Sequence, residues 1–179
     1  MAIFIAFLRG VNVSGQKKIP MAELRELLAK SRFEKVQTYI QSGNVVFQST
    51  VKNKSELEET IHTCIQSHFG FEVSVLVKTP KEIESILLSC PFSGSKKEAC
   101  YFTLLHEIPN RELVASTSKE IYPKEAFIIK EDCVYFYSDM GYGTAKCNNN
   151  FFERKLKVTA TTRNYKTMLK LLSLSSEIN

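Results

Sequence analysis

The order in which hydrophobic periodicity switches along the chain constrains its fold more than any other feature. Residues 3–8, IFIAFL, are apolar on both alternating faces: Ile3, Ile5 and Phe7 on one, Phe4, Ala6 and Leu8 on the other. Such a run reads as a strand covered on both sides. Residues 20–31 then place Met21, Leu24, Leu27 and Leu28 on one helical face, with Pro20 in the first turn. VQTYI (36–40) and NVVFQ (44–48) return to a period of two around Ser42-Gly43, a hairpin signal. Ser55 and Glu58 have the spacing of a capping box, and Leu57, Ile61, Cys64, Ile65 and His68 follow at helical spacing. VSVLV (73–77) closes the unit as a strand. The order β-α-β-β-α-β is that of a ferredoxin-like unit.

The pattern then restarts. Thr79-Pro80-Lys81-Glu82 reads as a second capping box, opening a helix striped by Ile83, Ile86, Leu87 and Cys90. CPFSGSKK (90–97) is the linker-like stretch. Beyond it the periodicity predicts a strand at 100–106, a helix near 110–118, strands at 125–130 and 133–138, and a helix at about 148–156. That sequence is β-α-β-β-α, the same unit without its last strand. A final helix is expected from Arg163 to Leu174, with Tyr165, Met168, Leu169 and Leu172 on one face behind Thr161 and Thr162. The fold class is therefore α+β: two ferredoxin-like halves, duplicated, with an extra C-terminal helix. The expected boundaries are 1–79 and 80–179.

Composition excludes several function classes. At 179 residues, with 44% hydrophobic and 24% charged content, the chain can bury a core without disulfides or metals. The net charge of +5 is spread along the chain in short doublets, which gives no nucleic-acid arm. Five cysteines, odd in number and without a C-x-x-C, signal neither a disulfide framework nor a zinc site. The opening apolar run is too short for a membrane span and lacks a charged leader, so a cytoplasmic protein is expected. No cofactor or metal is expected either.

Residues 10–18, G-V-N-V-S-G-Q-K-K, come close to a phosphate-binding loop, but Gln16 stands where the phosphate lysine belongs and Lys17 where a hydroxyl would hold Mg²⁺. Nucleotide hydrolysis is not expected there, whereas looser anion binding by backbone N–H groups with Arg9 or Lys18 remains open. Specific RNA or DNA binding is not expected, because NVVFQS lacks the aromatic motif of RNA-recognition sheets. His62 and His68 have the wrong spacing to share a ligand, and His106-Glu107 with Glu131-Asp132 offers only proximity.

Topology makes one sharper statement. In ferredoxin-like strand order the first strand pairs antiparallel with the third, so Arg9-Gly10 must lie beside Asn44. The loop 9–18, the hairpin 41–44 and the start of the first helix then share one sheet edge. Arg9, Asn12, Lys18, Gln41 and Asn44 gather there, all hydrogen-bonding and none a carboxylate. Such a corner suits a bound anion or polar small molecule, and equally a network locking two loops together.

LRGVNVSGQKKIPMAELREL, TYIQSGNVVF and TATTRNYKTMLKL, in this order, resemble a bacterial family called domain of unknown function 1697. The resemblance spans nearly the whole chain. Its motifs match Arg9, Gly10, Asn12, Val13 and Gly15, then Tyr39, Gln41, Ser42, Gly43 and Asn44, then Lys146, then Thr161, Arg163, Asn164 and Thr167. Ser14 departs from a glycine, Ala145 from a serine and Tyr165 from a tryptophan. The topological corner, which supplies Lys18, and the resemblance together give a candidate ligand-binding set of Arg9, Gly10, Asn12, Lys18, Tyr39, Gln41, Ser42, Asn44, Lys146, Arg163 and Asn164. The resemblance implies no chemistry. It also raises the expectation that Arg163 and Asn164, opening the last helix, dock against loop 9–18.

Three functions are carried forward. The first is a binding module for a phosphate- or carboxylate-bearing small molecule or a phosphodiester, since the motifs hold no His, Asp or Glu for acid–base work. The second is an enzyme acting by positioning and charge stabilisation, with Tyr39 or Lys146 handling the proton. The third is an interaction or homo-oligomeric module using the aromatic strand CVYFY (133–137).

Overall fold

The apolar hexapeptide forms all of β1 (Ala2–Leu8) but its first residue, and the two faces of this strand organise the first half of the chain. In the computed structural model, which describes Met1–Asn179, β1 is followed by α1 (Met21–Lys30), β2 (Glu34–Tyr39), β3 (Asn44–Ser49), α2 (Lys54–Phe69) and β4 (Val75–Lys78). The sheet order is β2-β3-β1-β4, antiparallel throughout. Phe4, Ala6 and Leu8 pack with Val45, Phe47, Val75 and Val77 into one core, closed by Leu24 and Leu28 of α1 and Leu57, Ile61 and Ile65 of α2. Phe33 meets Phe47 edge-on, with centroids 4.8 Å apart. On the opposite face Ile5, Phe7, Val46 and Leu76 are also buried. A strand with no polar face has no solvent side, as IFIAFL requires.

The second half repeats the plan with α3 (Pro80–Leu88), a short α4 (Gly94–Glu98) inside the linker-like stretch, β5 (Tyr101–Leu105), α5 (Arg111–Thr117), β6 (Glu125–Lys130), β7 (Cys133–Ser138), α6 (Asn149–Leu156) and β8 (Ala160–Asn164). Its sheet order, β6-β7-β5-β8, is that of the first sheet position for position. The expected missing strand is therefore present. β8 pairs antiparallel with β5 from Ala160↔Leu105 to Asn164↔Tyr101. Thr161 and Thr162 read as helix caps from sequence, yet β-branched residues suit a pleated strand better, and Thr162 Oγ1 meets Thr103 Oγ1 across the pair at 2.8 Å. The last helix, α7 (Tyr165–Glu177), starts two residues later than expected. Its cap is Asn164, whose Oδ1 accepts from the Thr167 N–H at 2.9 Å.

One of the two expected capping boxes forms. Thr79 Oγ1 accepts from Glu82 N at 3.2 Å while Glu82 Oε2 accepts from Thr79 N at 2.7 Å. At α2 the cap is instead Asn53, whose Oδ1 takes the N–H groups of Ser55 and Glu56. Glu58 is drawn away to the backbone N–H of Val77 at 2.8 Å. Two compact units result: residues 1–85 with 169–179, and residues 86–168. The end of α7 thus belongs to the first unit, where Lys35 Nζ and Gln48 Nε2 donate to the Ile178 carbonyl at 3.0 and 2.7 Å. No helix is long and apolar enough to cross a membrane.

Candidate ligand-binding site

Between β1 and α1 the chain spends residues 9–20, where the equivalent connection between β5 and α5 needs only 106–110. The extra length is not required to join the elements, and long connections on a rigid scaffold commonly carry function. Its backbone is unusual: Gly10, Asn12, Ser14, Gly15 and Lys17 all have positive φ, between 46° and 75°. Ser14 and Gly15 are consecutive left-handed residues at the tip of the loop, which the Gln16 N–H donating to Val13 O at 3.0 Å closes into a turn.

Asn12 holds this loop in shape. Its Nδ2 donates to Ile19 O at 3.0 Å and to Gln41 O at 2.8 Å, and its Oδ1 accepts from Ile19 N at 2.8 Å. The side-chain amide thus pairs with both backbone groups of the buried Ile19 and ties the loop to the β2–β3 hairpin. Its own N–H donates to Lys17 O at 3.1 Å, closing the loop's neck. Asparagine also tolerates its φ of 54° better than most residues. Asn12 serves as a frame for the loop, with both amide hydrogens already committed.

The hairpin comes to the same edge, as strand pairing demands: Phe7 lies opposite Asn44. Asn44 is fully buried, and its Nδ2 donates to Tyr39 O at 3.0 Å and Ser42 Oγ at 2.9 Å, closing the four-residue turn. Gly43 makes the close approach. Its carbonyl accepts from Leu8 N at 2.8 Å, and a Cβ there would stand 2.6 Å from both Leu8 Cβ and Val11 Cγ2. Ile40, at the other end of the turn, sits at φ 49°.

Where loop and hairpin meet lies an open cleft of about 400 Å³, lined by Asn12, Gly15, Lys18, Ile19, Pro20 and Gln41. No carboxylate lines it. Lys18 is exposed and engaged in no ion pair, whereas neighbouring Lys17 is held by the Glu72 carbonyl at 2.7 Å. Arg9, half-buried at the end of β1, donates its backbone N–H to Ser74 O at 3.0 Å. Of the expected set, Arg9, Gly10, Asn12, Lys18, Tyr39, Gln41, Ser42 and Asn44 all belong to this edge of the first unit. Sequence reasoning left Gly15, Ile19 and Pro20 out of the site. The φ of 75° at Gly15 and the apolar Ile19 beside a helix-opening proline were the available signals.

Lys146, Arg163 and Asn164 belong to the second unit. Lys146 is exposed, and its N–H donates to Glu125 Oε1 at 2.9 Å; the Cys147 N–H takes the other oxygen at 2.9 Å. Burial raises the Glu125 pKa, but these two backbone donors, the Cys147 thiol and the Lys146 charge together outweigh it and hold the carboxyl below its ordinary value. Arg163 lies on β8 opposite Phe102, not on the last helix as expected, and Asn164 ends that strand. The Arg163 guanidinium is buried and donates to Thr161 Oγ1 at 2.8 Å and Thr162 O at 2.9 Å. Burial pulls its pKa down to about 10, so it stays charged at neutral pH. Cys133, Val134, Tyr135 and Phe136 of the aromatic strand are buried in the protein, and Tyr137 is half-buried. No three His, Cys, Asp or Glu side chains form a group able to hold a metal ion. None of the five cysteines forms a disulfide, and burial pushes the Cys147 thiol up to about 12.

Among solved structures the chain is similar to the conserved bacterial protein SP0830 from Streptococcus pneumoniae, at 26% identity and a TM-score of 0.74 over 97% of this chain and 98% of that one. The family described as "Protein of unknown function (DUF1697)" matches residues 1–135, which contain the loop, the hairpin and the cleft between them; the chain belongs to that family.

Proposed function

We propose that the corner formed by loop 9–18 and hairpin 41–44 binds a phosphate- or carboxylate-bearing small molecule. The observation that carries this reading is the cleft itself: a cationic Lys18 without an ionic partner, the amide of Gln41, and no carboxylate on the wall. Asn12 and Asn44 hold the two loops in register, so the donors need no rearrangement before a ligand arrives, which lowers the cost of binding. The left-handed residues at Ser14 and Gly15 add backbone N–H groups suited to an anion. Arg9, Gly10, Tyr39 and Ser42 belong to the supporting edge.

Thermal-shift screening of phosphate- and carboxylate-bearing metabolites against wild type, Lys18→Ala and Gln41→Ala tests the reading. A compound that stabilises wild type and loses its effect in both variants supports it. Lys18 is exposed and Gln41 contributes only its backbone carbonyl to the frame, so neither substitution should change the unliganded melting temperature. A stabilising anion whose effect survives both substitutions would place its site elsewhere and overturn the proposal.

A further inference from the structure

Two exposed aliphatic side chains flank the anchored junction of this corner. Val13, next to Asn12, is 56% exposed, and Ile40, next to Gln41, is 49% exposed. The Asn12 Nδ2–Gln41 O hydrogen bond of 2.8 Å ties together the residues that immediately adjoin Val13 and Ile40 in the chain. Folding alone accounts poorly for Ile40. Its φ of 49° lies in the left-handed region, where a β-branched side chain crowds its own backbone and where Gly, Asn or Asp is the stable choice in a hairpin. Its exposure means that little core packing is recovered in exchange. An isoleucine kept in a strained, half-exposed position next to the cleft-lining Gln41 has the character of a side chain held for contact with a ligand.

We infer that Ile40 and Val13 form an apolar wall beside the cationic cleft, so that the ligand is an organic anion carrying an apolar group next to its phosphate or carboxylate. This rests on the anion-binding reading and narrows it from bare anions to amphiphilic ones. The anionic end meets Lys18 and the loop amides, and the apolar end covers Ile40 and Val13. Ligand sites of this kind pair an apolar surface with a few placed polar groups.

Paired probes separate the two levels of the proposal. Titrations of ¹⁵N-labelled protein, followed at the amides of Asn12, Gly15, Lys18 and Gln41, compare inorganic phosphate with phenyl phosphate and acetate with benzoate. The expected result is about tenfold tighter binding of each aryl member in wild type, the worth of roughly 60 Å² of apolar surface removed from water. In Ile40→Asn that advantage should disappear while the melting temperature rises, because Asn accepts the left-handed backbone. Equal affinity within each pair would overturn the amphiphile inference and leave anion binding standing. No response at these amides to any of the four probes would overturn both. A lowered melting temperature in Ile40→Asn would refute the assignment of Ile40 to contact over packing.

Discussion

Replacing Gly43 with alanine tests the joint on which the whole corner depends. The residue has φ 77°, which for alanine costs about 1–2 kcal/mol. Its new Cβ would lie 2.6 Å from Leu8 Cβ and Val11 Cγ2, inside any real carbon–carbon contact. Leu8 and Val11 are both buried and cannot swing aside, so the clash adds an overpacking cost of about 1–3 kcal/mol. The sum is about 2–5 kcal/mol, or a fall in urea midpoint of roughly 1–2 M for a domain of this size. Gly10→Ala is the matched control: its φ is 69°, but nothing lies within 4 Å of the added Cβ, so only the backbone cost of about 1–2 kcal/mol remains. Urea unfolding of both variants, followed by circular dichroism, measures the difference. If Gly43→Ala proved within about 0.5 kcal/mol of Gly10→Ala, the close packing of the hairpin on β1 and on Val11 would be refuted.

Asn12→Ala removes three hydrogen bonds and leaves both backbone groups of the buried Ile19 without their partner, which should cost about 2–4 kcal/mol in urea unfolding; a change below 0.5 kcal/mol, on the order of a surface substitution, would contradict its role as frame. Asn164→Ala removes the cap of α7 and should destabilise by about 1 kcal/mol, whereas Asn164→Asp should be close to neutral. Glu125 has a folded pKa below its ordinary value of 4.5, so its contribution is complete above that value and is lost as pH falls through the folded one. Glu125→Gln should therefore flatten the acid limb of the melting-temperature profile below about pH 5, and an unchanged limb would count against the two backbone contacts. Glu58 runs the other way: burial raises its pKa, so the stability it gives is greatest at low pH and declines as pH rises through 4.5 and above, and Glu58→Gln should remove that decline.

Periodicity made most of the elements legible. β6 and β7 fall at the residues expected from their alternation, and the Thr79–Glu82 box forms as its spacing implies. β8 was not legible, because ATTRN is short and its Thr-Thr pair suits both a cap and a strand. Pairing with β5 decides the matter, and that is a non-local contact invisible in a window of five residues. The Ser55–Glu58 box failed for a similar reason: Asn53 is the stronger local cap, and the distant Val77 N–H claims Glu58.

The meeting of loop 9–18 with hairpin 41–44 followed from strand order alone, since β1 must pair with β3. How the corner divides its labour did not follow. Asn12 and Lys18 look equally suited to a ligand in sequence, but the fold commits the Asn12 amide to Ile19 and Gln41 and leaves Lys18 beside an open cleft. Whether a polar side chain serves the frame or the ligand depends on which carbonyls the folded loop brings to it, and periodicity does not encode that.

The corner of loop 9–18 and hairpin 41–44 is proposed to receive an anion. Titration of ¹⁵N-labelled protein with phenyl phosphate, read across every backbone amide, tests it most directly. Saturable shifts are expected at residues 12–18 and at Gln41, and their absence is expected in Lys18→Ala. Saturable shifts centred on any other part of the chain, or none at these residues, would contradict it.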